Sequence, residues 1–421
     1  MRFIYTLLLW LLLPLVFVRL ALRVRKQPEY WQHLGERFGF YPLKSDKSVI
    51  WLHAVSVGET RATVSLVASL RAAYPDHQIL LTHTTPTGRE MGLQLYGDDV
   101  MRVYLPYDYP FAVRCFLRHF KPRLGILMET EIWFNLIHES HAAGVPMLLL
   151  NARLSEKSAK GYARVPSLTR SALQALDAIA AQTPEDASRL VQLGACEVSV
   201  MGNLKFDIAP PTFMMELGLS LRCQFGATRK VFLAASTREG EEALLLDAFL
   251  AQDCLAGTLL VIVPRHPQRF DEIAEMLAQR GLRYRRRSEN RDVSPEIQVV
   301  LGDSMGEMFA YYAASDLAYI GGSLLPFGGQ NLIEACSVGT PVLIGPHTYN
   351  FADATRLAVA AGAAVRVNDA TELLQAAGKL LNDVTTLAAM SQKSVQFVAS
   401  HQGATGKAMA VISQHFVDAA R

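Results

Sequence analysis

Two carboxylates one residue apart, Glu129 and Glu131, follow an apolar run at residues 124–127 in the segment Met128-Glu129-Thr130-Glu131-Ile132-Trp133. Alternate residues at a strand end project to the same side. Both acids can therefore face one cleft, to take up a proton or hold a sugar hydroxyl; in the plainer alternative, one of them only helps to start the next helix. A different chemistry is suggested by residues 321–336, GGSLLPFGGQNLIEAC. Glycines bring backbone N–H groups close to a ligand with no Cβ in the way. A helix opening at the second glycine pair adds unpaired N–H groups suited to a phosphate. Glu334, one turn in, is placed to accept from sugar hydroxyls. Without a ligand, the same segment reads as a glycine-punctuated α/β turn.

Cations stand at matching places. Arg265, embedded in Pro264-Arg265-His266-Pro267 with Arg269 close behind, follows the apolar run 259–263. A guanidinium at a strand end binds phosphate or carboxylate well. Lys205, in Gly202-Asn203-Leu204-Lys205-Phe206-Asp207, could do the same or be a surface charge. His347, in the turn 345–351, reads equally as a ligand contact or a turn residue. Gly35-Glu36-Arg37-Phe38-Gly39 is a tight loop with a carboxylate inside it, or a simple pair of surface charges. Four segments fit a helix capping box: Ser56 to Glu59, Thr183 to Asp186, Ser236 to Glu239 and Ser304 to Glu307. In such a box the polar side chains satisfy orphan N–H groups.

Composition limits the function classes. A net charge of +2 over 421 residues argues against a dedicated nucleic-acid binder. The basic cluster Arg283, Arg285, Arg286, Arg287 and Arg291 reads best as a solvated face. Five scattered cysteines (Cys115, Cys196, Cys223, Cys254 and Cys336) form no CxxC pair, and the eleven histidines form no HExxH. This suits a reducing compartment and speaks against a disulfide framework or zinc site; no metal is expected.

These residues need elements to position them. After residue 45, apolar strand-like runs at 49–54, 78–82, 101–105, 124–128, 146–150, 178–181 and 198–201 alternate with helical stretches, including 59–74 and one from about Pro86. A second series runs through 231–235, 258–263, 298–301, 317–320, 341–344 and 364–367. Strands separated by helices imply parallel sheets, here two doubly wound domains. The chain from residue 370 reads as helical, with a break near 401–403. The expected organisation is a membrane anchor with its basic flank at 1–26, an N-terminal acceptor-binding domain at 27–210, a connection at 211–229, and a C-terminal donor-binding domain at 230–421.

The N-terminus is a 16-residue uncharged run (3–18) broken only by Pro14, followed by Arg19, Arg23, Arg25 and Lys26. As a helix this run is about 24 Å long, slightly short of the ~30 Å hydrocarbon core. It lacks a small-residue cleavage site. Both a short signal-anchor with its basic flank in the cytoplasm and a helix lying in the bilayer surface fit.

Taken in order, the motifs GERFG (35–39), HAVSVGE (53–59), TTPTG (84–88), YLPYD (104–108), METEIW (128–133), NARLS (151–155), GNLKFD (202–207), STREGEE (236–242), PRHPQRF (264–270), GDSMGEM (302–308) and GPHTYNF (345–351) make the chain resemble the 3-deoxy-D-manno-octulosonic acid (Kdo) transferases of lipopolysaccharide biosynthesis. The resemblance implies a GT-B fold, two Rossmann-like domains facing a cleft. It implies an inverting transferase using CMP-Kdo without a metal, with a lipid A precursor as acceptor, on the cytoplasmic face of the inner membrane. Carried onto this chain, Glu36 is the base for the acceptor hydroxyl and Glu129 shapes the acceptor side. Arg265, His266, Pro267, Gly302, Met305, Gly322, Ser323, Asn331 and Glu334 bind the donor. Ser56, Gly58, Glu131 and Lys205 are acceptor or carboxylate contacts. Phe134 stands where the family usually has Pro. Gln330, Leu332 and Cys336 stand where His, Pro, and Pro or Ala are commoner, so no imidazole contact is expected in the donor loop. The competing readings are another GT-B nucleotide-sugar enzyme (a UDP-sugar transferase or epimerase), separable by a donor screen, and a non-enzymatic membrane scaffold.

Overall fold

The computed structural model describes residues 1–251 and 255–416; Cys254, the last five residues and the side chain of Lys26 lie outside the described set. The chain forms two compact units. The first comprises Met1–Asp207 together with the chain from Gln402 onward, and the second comprises Ile208–His401.

The first unit is built on seven strands: β1 (Ser48–His53), β2 (His77–His83), β3 (Met101–Tyr104), β4 (Pro122–Met128), β5 (Met147–Ala152), β6 (Ala178–Ala181) and β7 (Ser199–Val200). They pair in parallel in the order β3-β2-β1-β4-β5-β6-β7. The apolar runs of β1, β4 and β5 are continuous because these central strands are covered on both faces. Val49 and Trp51 enter one core layer with Phe116, Phe120 and Ile137, while Ile50 and Leu52 enter the other with Leu66 and Leu70. Gly125 is required where β4 passes β1 and β5, because a Cβ there would meet Met147 Sδ at 2.3 Å and Trp51 at 2.8 Å.

The second unit repeats the plan with β8 (Val231–Thr237), β9 (Leu259–Pro264), β10 (Tyr284–Arg286), β11 (Val299–Leu301), β12 (Leu317–Ile320), β13 (Val342–Ile344) and β14 (Ala364–Arg366). The order is β10-β11-β9-β8-β12-β13-β14, again all parallel. All thirteen expected strands are present. The three-residue edge strand β10 is the addition, hidden in the arginine cluster. Arg285 pairs with Glu289 and Arg286 with Asp271 and Asp303, and Arg287, just after the strand, pairs with Glu307. Charged side chains suit an edge strand, whose second side has no partner.

Three expectations about organisation change. Residues 211–229 are not a loose connection, for Thr212–Phe225 is a helix of the second unit. It packs so closely that a Cβ on Gly218 would meet Ala313 Cβ at 2.7 Å. The C-terminal domain does not run to the chain end, because the last helix, Ala404–His415, places Ala404, Ala408 and Ile412 in the first unit's core beside Leu66 and Leu70. The helix expected over 59–74 is two, Val57–Ala62 and Val64–Ala73, broken where the Thr63 hydroxyl donates to Thr60 O.

The N-terminal helix spans Arg2–Lys26 with Pro14 inside, and is the one described helix long and apolar enough to cross a membrane. One face rests on the first unit. Tyr5 Oη donates to Asp108 Oδ2 (2.8 Å), Tyr109 Oη donates to Leu9 O (2.8 Å), Trp10 stacks on Phe111, Phe17 stacks on Phe38, and Leu20 is buried. The opposite stripe, Phe3, Leu7, Leu11, Leu15, Val18 and Leu22, is exposed.

Because Ile412 fills the first unit from the far end of the chain, Ile412→Ala should lower that unit's unfolding free energy by about 2–5 kcal/mol. Urea denaturation followed by Trp51 fluorescence should report the loss.

Candidate active site

In a doubly wound sheet, ligands bind beyond the carboxyl ends of the strands where the strand order reverses. The first unit reverses between β1 and β4, and the second between β8 and β12. The segments leaving β1, β4 and β12 carry Ser56, Gly58, Glu129, Glu131, Gly322, Ser323, Asn331 and Glu334, whereas Arg265, His266 and Pro267 follow β9, Gly302 and Met305 follow β11, and Lys205 follows β7.

At the β1/β4 edge, Glu129 adopts φ 56°, a left-handed backbone unusual for glutamate. Its Oε1 accepts from Lys205 Nζ at 3.2 Å. Glu131 points elsewhere: Trp133 Nε1 donates to its Oε2 (2.6 Å), and His53 Nε2 lies 3.6 Å from the same oxygen. The two acids thus share an edge but have separate partners. Ser56 caps the helix Val57–Ala62, while Glu59 accepts from Val55 N (2.9 Å) and Ser56 Oγ (2.8 Å). Burial, then the nearby Glu129 and Glu131, push the Glu59 carboxyl above its ordinary range. Gly58 is exposed on this cap. Lys205 is positioned by Asn203, whose Oδ1 accepts its N–H, and by Asn151, whose Oδ1 accepts from Leu204 N.

Glu36 lies apart, beside β3. It is 2% exposed, so the loop encloses it and the surface-charge alternative falls. Oε2 accepts from Arg89 Nη1 (2.7 Å) and Tyr104 N (2.7 Å); Oε1 is 3.4 Å from both Arg89 Nη2 and His33 Nδ1. Arg37 is also buried, 4.0 Å over the Tyr104 ring, and donates to Thr84 O. A few residues on, Asp108 holds the N-terminal helix through Tyr5 and accepts from Asn135 N and Leu136 N. Phe134, the departure from the expected Pro, packs edge-on against Tyr5 with centroids 5.1 Å apart.

In the second unit, the glycine loop after β12 does not present all its amides outward. Gly322 N (2.6 Å) and Leu324 N (3.0 Å) donate to the buried Glu241. Ser323 is buried too, its hydroxyl donating to Ile320 O and accepting from Gly345 N. The helix expected at the second glycine pair starts only at Ile333 and is one turn long. Asn331 stands before it, accepting from Ile333 N and donating to Glu334 Oε1 (3.1 Å). Leu332 and Cys336 are fully buried, which explains apolar choices there; burial pushes the Cys336 thiol up to about 12. After β9, Arg265 N donates to Thr237 O, and Arg265 and His266 are half-buried while Pro267 is exposed. Burial, with Arg238 and Arg265 nearby, pushes the His266 imidazole down. Gly302 abuts Tyr311 and Val263, whereas Met305 is 55% exposed. His347 donates its N–H to Ser323 O, a turn contact.

The boxes proposed at Ser236 and Ser304 do not cap helices. Ser236 is left-handed (φ 55°) within β8, and the next helix begins at Glu241; Ser304 donates to Glu307 ahead of a helix starting at Met308. Ser56 and Thr183 do cap.

Residues 32–208 match the family described as 3-deoxy-D-manno-octulosonic-acid transferase (kdotransferase), and residues 279–397 match glycosyl transferases group 1. A 3-deoxy-D-manno-octulosonic acid transferase of Bordetella pertussis is 45% identical, covering 97% of this chain and 98% of that protein. One from Haemophilus influenzae is 36% identical over 96% of each. The chain belongs to the Kdo transferase family. As a glycosyltransferase it has the GT-B fold: a Rickettsia africae glycosyltransferase matches with TM-score 0.55 at 13% identity, covering 89% of this chain and all of that one. A putative UDP-N-acetylglucosamine 2-epimerase of Listeria monocytogenes matches with TM-score 0.54 at 14% identity, covering 90% and 98%. These likenesses speak to fold alone.

In this transferase, reasoning from sequence passed over His53, Arg89, Glu241 and Glu242. Arg89 directly follows TTPTG, and the two acids end STREGEE, but only the folded contacts give them partners.

Asp108 yields a pH prediction. Burial pushes its carboxyl up to about 6, above its unfolded value. The folded state then binds the proton more tightly, so this contribution to stability is full below about pH 4, fades as pH rises through 6, and is absent at 7. The difference between pH 4 and 7 is about 3 kcal/mol for a two-unit shift. Asp108→Asn should abolish that slope in denaturation series run against wild type.

Proposed function

We propose that this enzyme transfers Kdo from CMP-Kdo to a hydroxyl of a lipid A precursor, with inversion, at the cytoplasmic face of the inner membrane. Family membership over nearly the whole chain supports the transferred sugar. The observation that carries the acceptor side is Glu36, a buried carboxylate set between Arg89 and the loop beneath an apolar N-terminal helix.

An attacking hydroxyl is a poor nucleophile until a base accepts its proton. Glu36 Oε2 is held by two short hydrogen bonds, while Oε1 has only the 3.4 Å contacts to Arg89 and to the exposed His33. Oε1 is therefore the oxygen that receives the proton. Oε2 stays fixed by the Tyr104 amide, and Arg89 orients the carboxylate. Glu129 and Glu131 line the acceptor side, with Ser56 and Gly58. As the bond from the anomeric carbon to phosphate breaks, negative charge grows on the departing CMP. Arg265, with His266, Pro267, Gly302, Met305, Asn331 and Glu334, forms the donor site around the loop that the buried Gly322 and Ser323 build. Guanidinium and amide donors stabilise such charge. Lys205, beside Glu129, is the cation in the first unit suited to a substrate carboxylate. The reading gives no step to a metal.

The N-terminal helix favours docking in the bilayer surface over spanning. Its inner face touches the first unit from Tyr5 to Leu20, which supports a helix lying along the bilayer surface. The stripe from Phe3 to Leu22 is free to insert, flanked by exposed Arg19 and Arg25. Basic residues near anionic lipid add about 1 kcal/mol each.

Two outcomes check this reading. Glu36→Gln should lower turnover on CMP-Kdo and lipid A precursor by about 10²-fold or more while CMP binding stays near wild type. Wild-type turnover would remove Glu36 from the mechanism. Leu11→Glu with Leu15→Glu alters only exposed positions, so the fold should survive while liposome sedimentation falls by about tenfold or more. Unchanged sedimentation would reject surface docking.

A further inference from the structure

Glu241 is fully buried at the first turn of the helix Glu241–Ala251, directly after β8. Its Oε1 accepts from Tyr319 Oη (2.7 Å), Leu324 N (3.0 Å) and Leu325 N (3.4 Å), and its Oε2 accepts from Gly322 N (2.6 Å) and Arg238 N (2.9 Å). The phenol and three of these amides belong to β12 and its glycine loop, across the point where the sheet order reverses. The carboxylate occupies the kind of amide nest that a phosphate would otherwise fill. Contacts around it are tight. A Cβ on Gly321 would lie 2.5 Å from Ser236 O, and Arg238 lies 4.4 Å over the Phe327 ring. The next residue, Glu242, also fully buried, faces the other donor loop. Its Oε1 accepts from Thr237 Oγ1 (2.7 Å) and Arg269 Nη1 (2.7 Å).

We propose that Glu241 is a positioning residue of the donor site. Its fixed negative charge holds the glycine loop in its ligand-binding conformation before the nucleotide arrives, so the loop does not have to be ordered at the moment of binding. This rests on the reading of the β8/β12 edge as the CMP-sugar site. Preorganisation of this kind lowers the ordering entropy charged to ligand affinity. It also sets a division of labour: the Gly322 and Leu324 amides hold the loop, and the exposed or half-buried groups (Arg265, Asn331, Glu334) meet the ligand.

Glu241→Gln keeps the shape and puts an amide NH₂ where either Gly322 N–H or the Tyr319 and Leu324 donors need an acceptor. Losing hydrogen bonds to a buried charge should weaken CMP binding, measured by calorimetry, by about tenfold or more, and raise the CMP-Kdo KM comparably. The acceptor KM should stay within about twofold, because that substrate is assigned to the other unit. A merely structural role would not move the donor and acceptor constants apart. Amide exchange of residues 322–325, measured without nucleotide, should speed up by about tenfold or more in the variant while β9 and β13 remain protected. A folded Glu241→Gln protein with wild-type exchange and wild-type CMP affinity would overturn the proposal. If that variant does not fold, Tyr319→Phe carries the test, since it keeps the carboxylate and removes one of its donors. It should weaken CMP binding about threefold, and unchanged affinity would overturn the proposal equally. If the wild-type protein binds no CMP, the assignment of the donor site fails, while the exchange experiment still judges the clamp.

Discussion

A parallel strand buried on both faces leaves only its ends for chemistry. The central strands of both sheets are of this kind, and within each parallel sheet every strand leads its chain to one edge. Side chains along β1, β4, β8 and β12 belong to the two core layers and cannot reach a substrate. The loops after those strands can, and where the order reverses two of them part to leave a crevice. Neither crevice has to be carved by a special insertion, because it follows from right-handed crossovers laid to both sides of a central pair of strands.

At those ends the protein places charge in dry surroundings and then surrounds each charge with donors. An ionised carboxylate is expensive to bury unless it is paired or hydrogen-bonded. Glu36, Glu241 and Glu242 are all essentially buried, and each receives short hydrogen bonds from backbone amides, a phenol, a hydroxyl or an arginine. Each such bond to a charge contributes about 1.5–3 kcal/mol, and an abandoned partner costs at least as much. These networks therefore fix loops that would otherwise be free. Arg37, held over Tyr104, does the same with a cation and an aromatic face.

The N-terminal helix has two apolar faces, one resting on the first unit and one exposed. Tyr5, Leu9, Val16 and Leu20 sit at helical spacing toward the first unit, while Phe3, Leu7, Leu11 and Leu15 sit toward the outside. Tyr5 ties the inner face to Asp108, in the loop that follows Tyr104, the last residue of β3 and the amide partner of Glu36. The apolar N-terminal helix and the proposed base are thus joined through one short segment of the first unit, 104–108.

Periodicity and punctuation in the sequence were enough for thirteen strands, for two doubly wound units, for the apolar N-terminus and for the ordered motifs of a Kdo transferase. Those features are local: a buried parallel strand must be apolar throughout, and its loop must be glycine-rich or capped. What the chain alone could not decide was long-range. Ile412 packs beside Leu66 although they lie at opposite ends of the sequence, so the last helix belongs to the first unit. Residues 212–225 look like a linker after Pro210 and Pro211, yet they form a helix, and Gly218 lets it lie close against the helix Met308–Ala313. The choice of Glu241 rather than Glu239 as the acid that organises its turn depends on Tyr319 and Gly322 arriving from another strand. Spacing records which side chains can meet within a turn, whereas the partner of a buried charge is chosen by whichever distant backbone amide the fold brings within 3 Å.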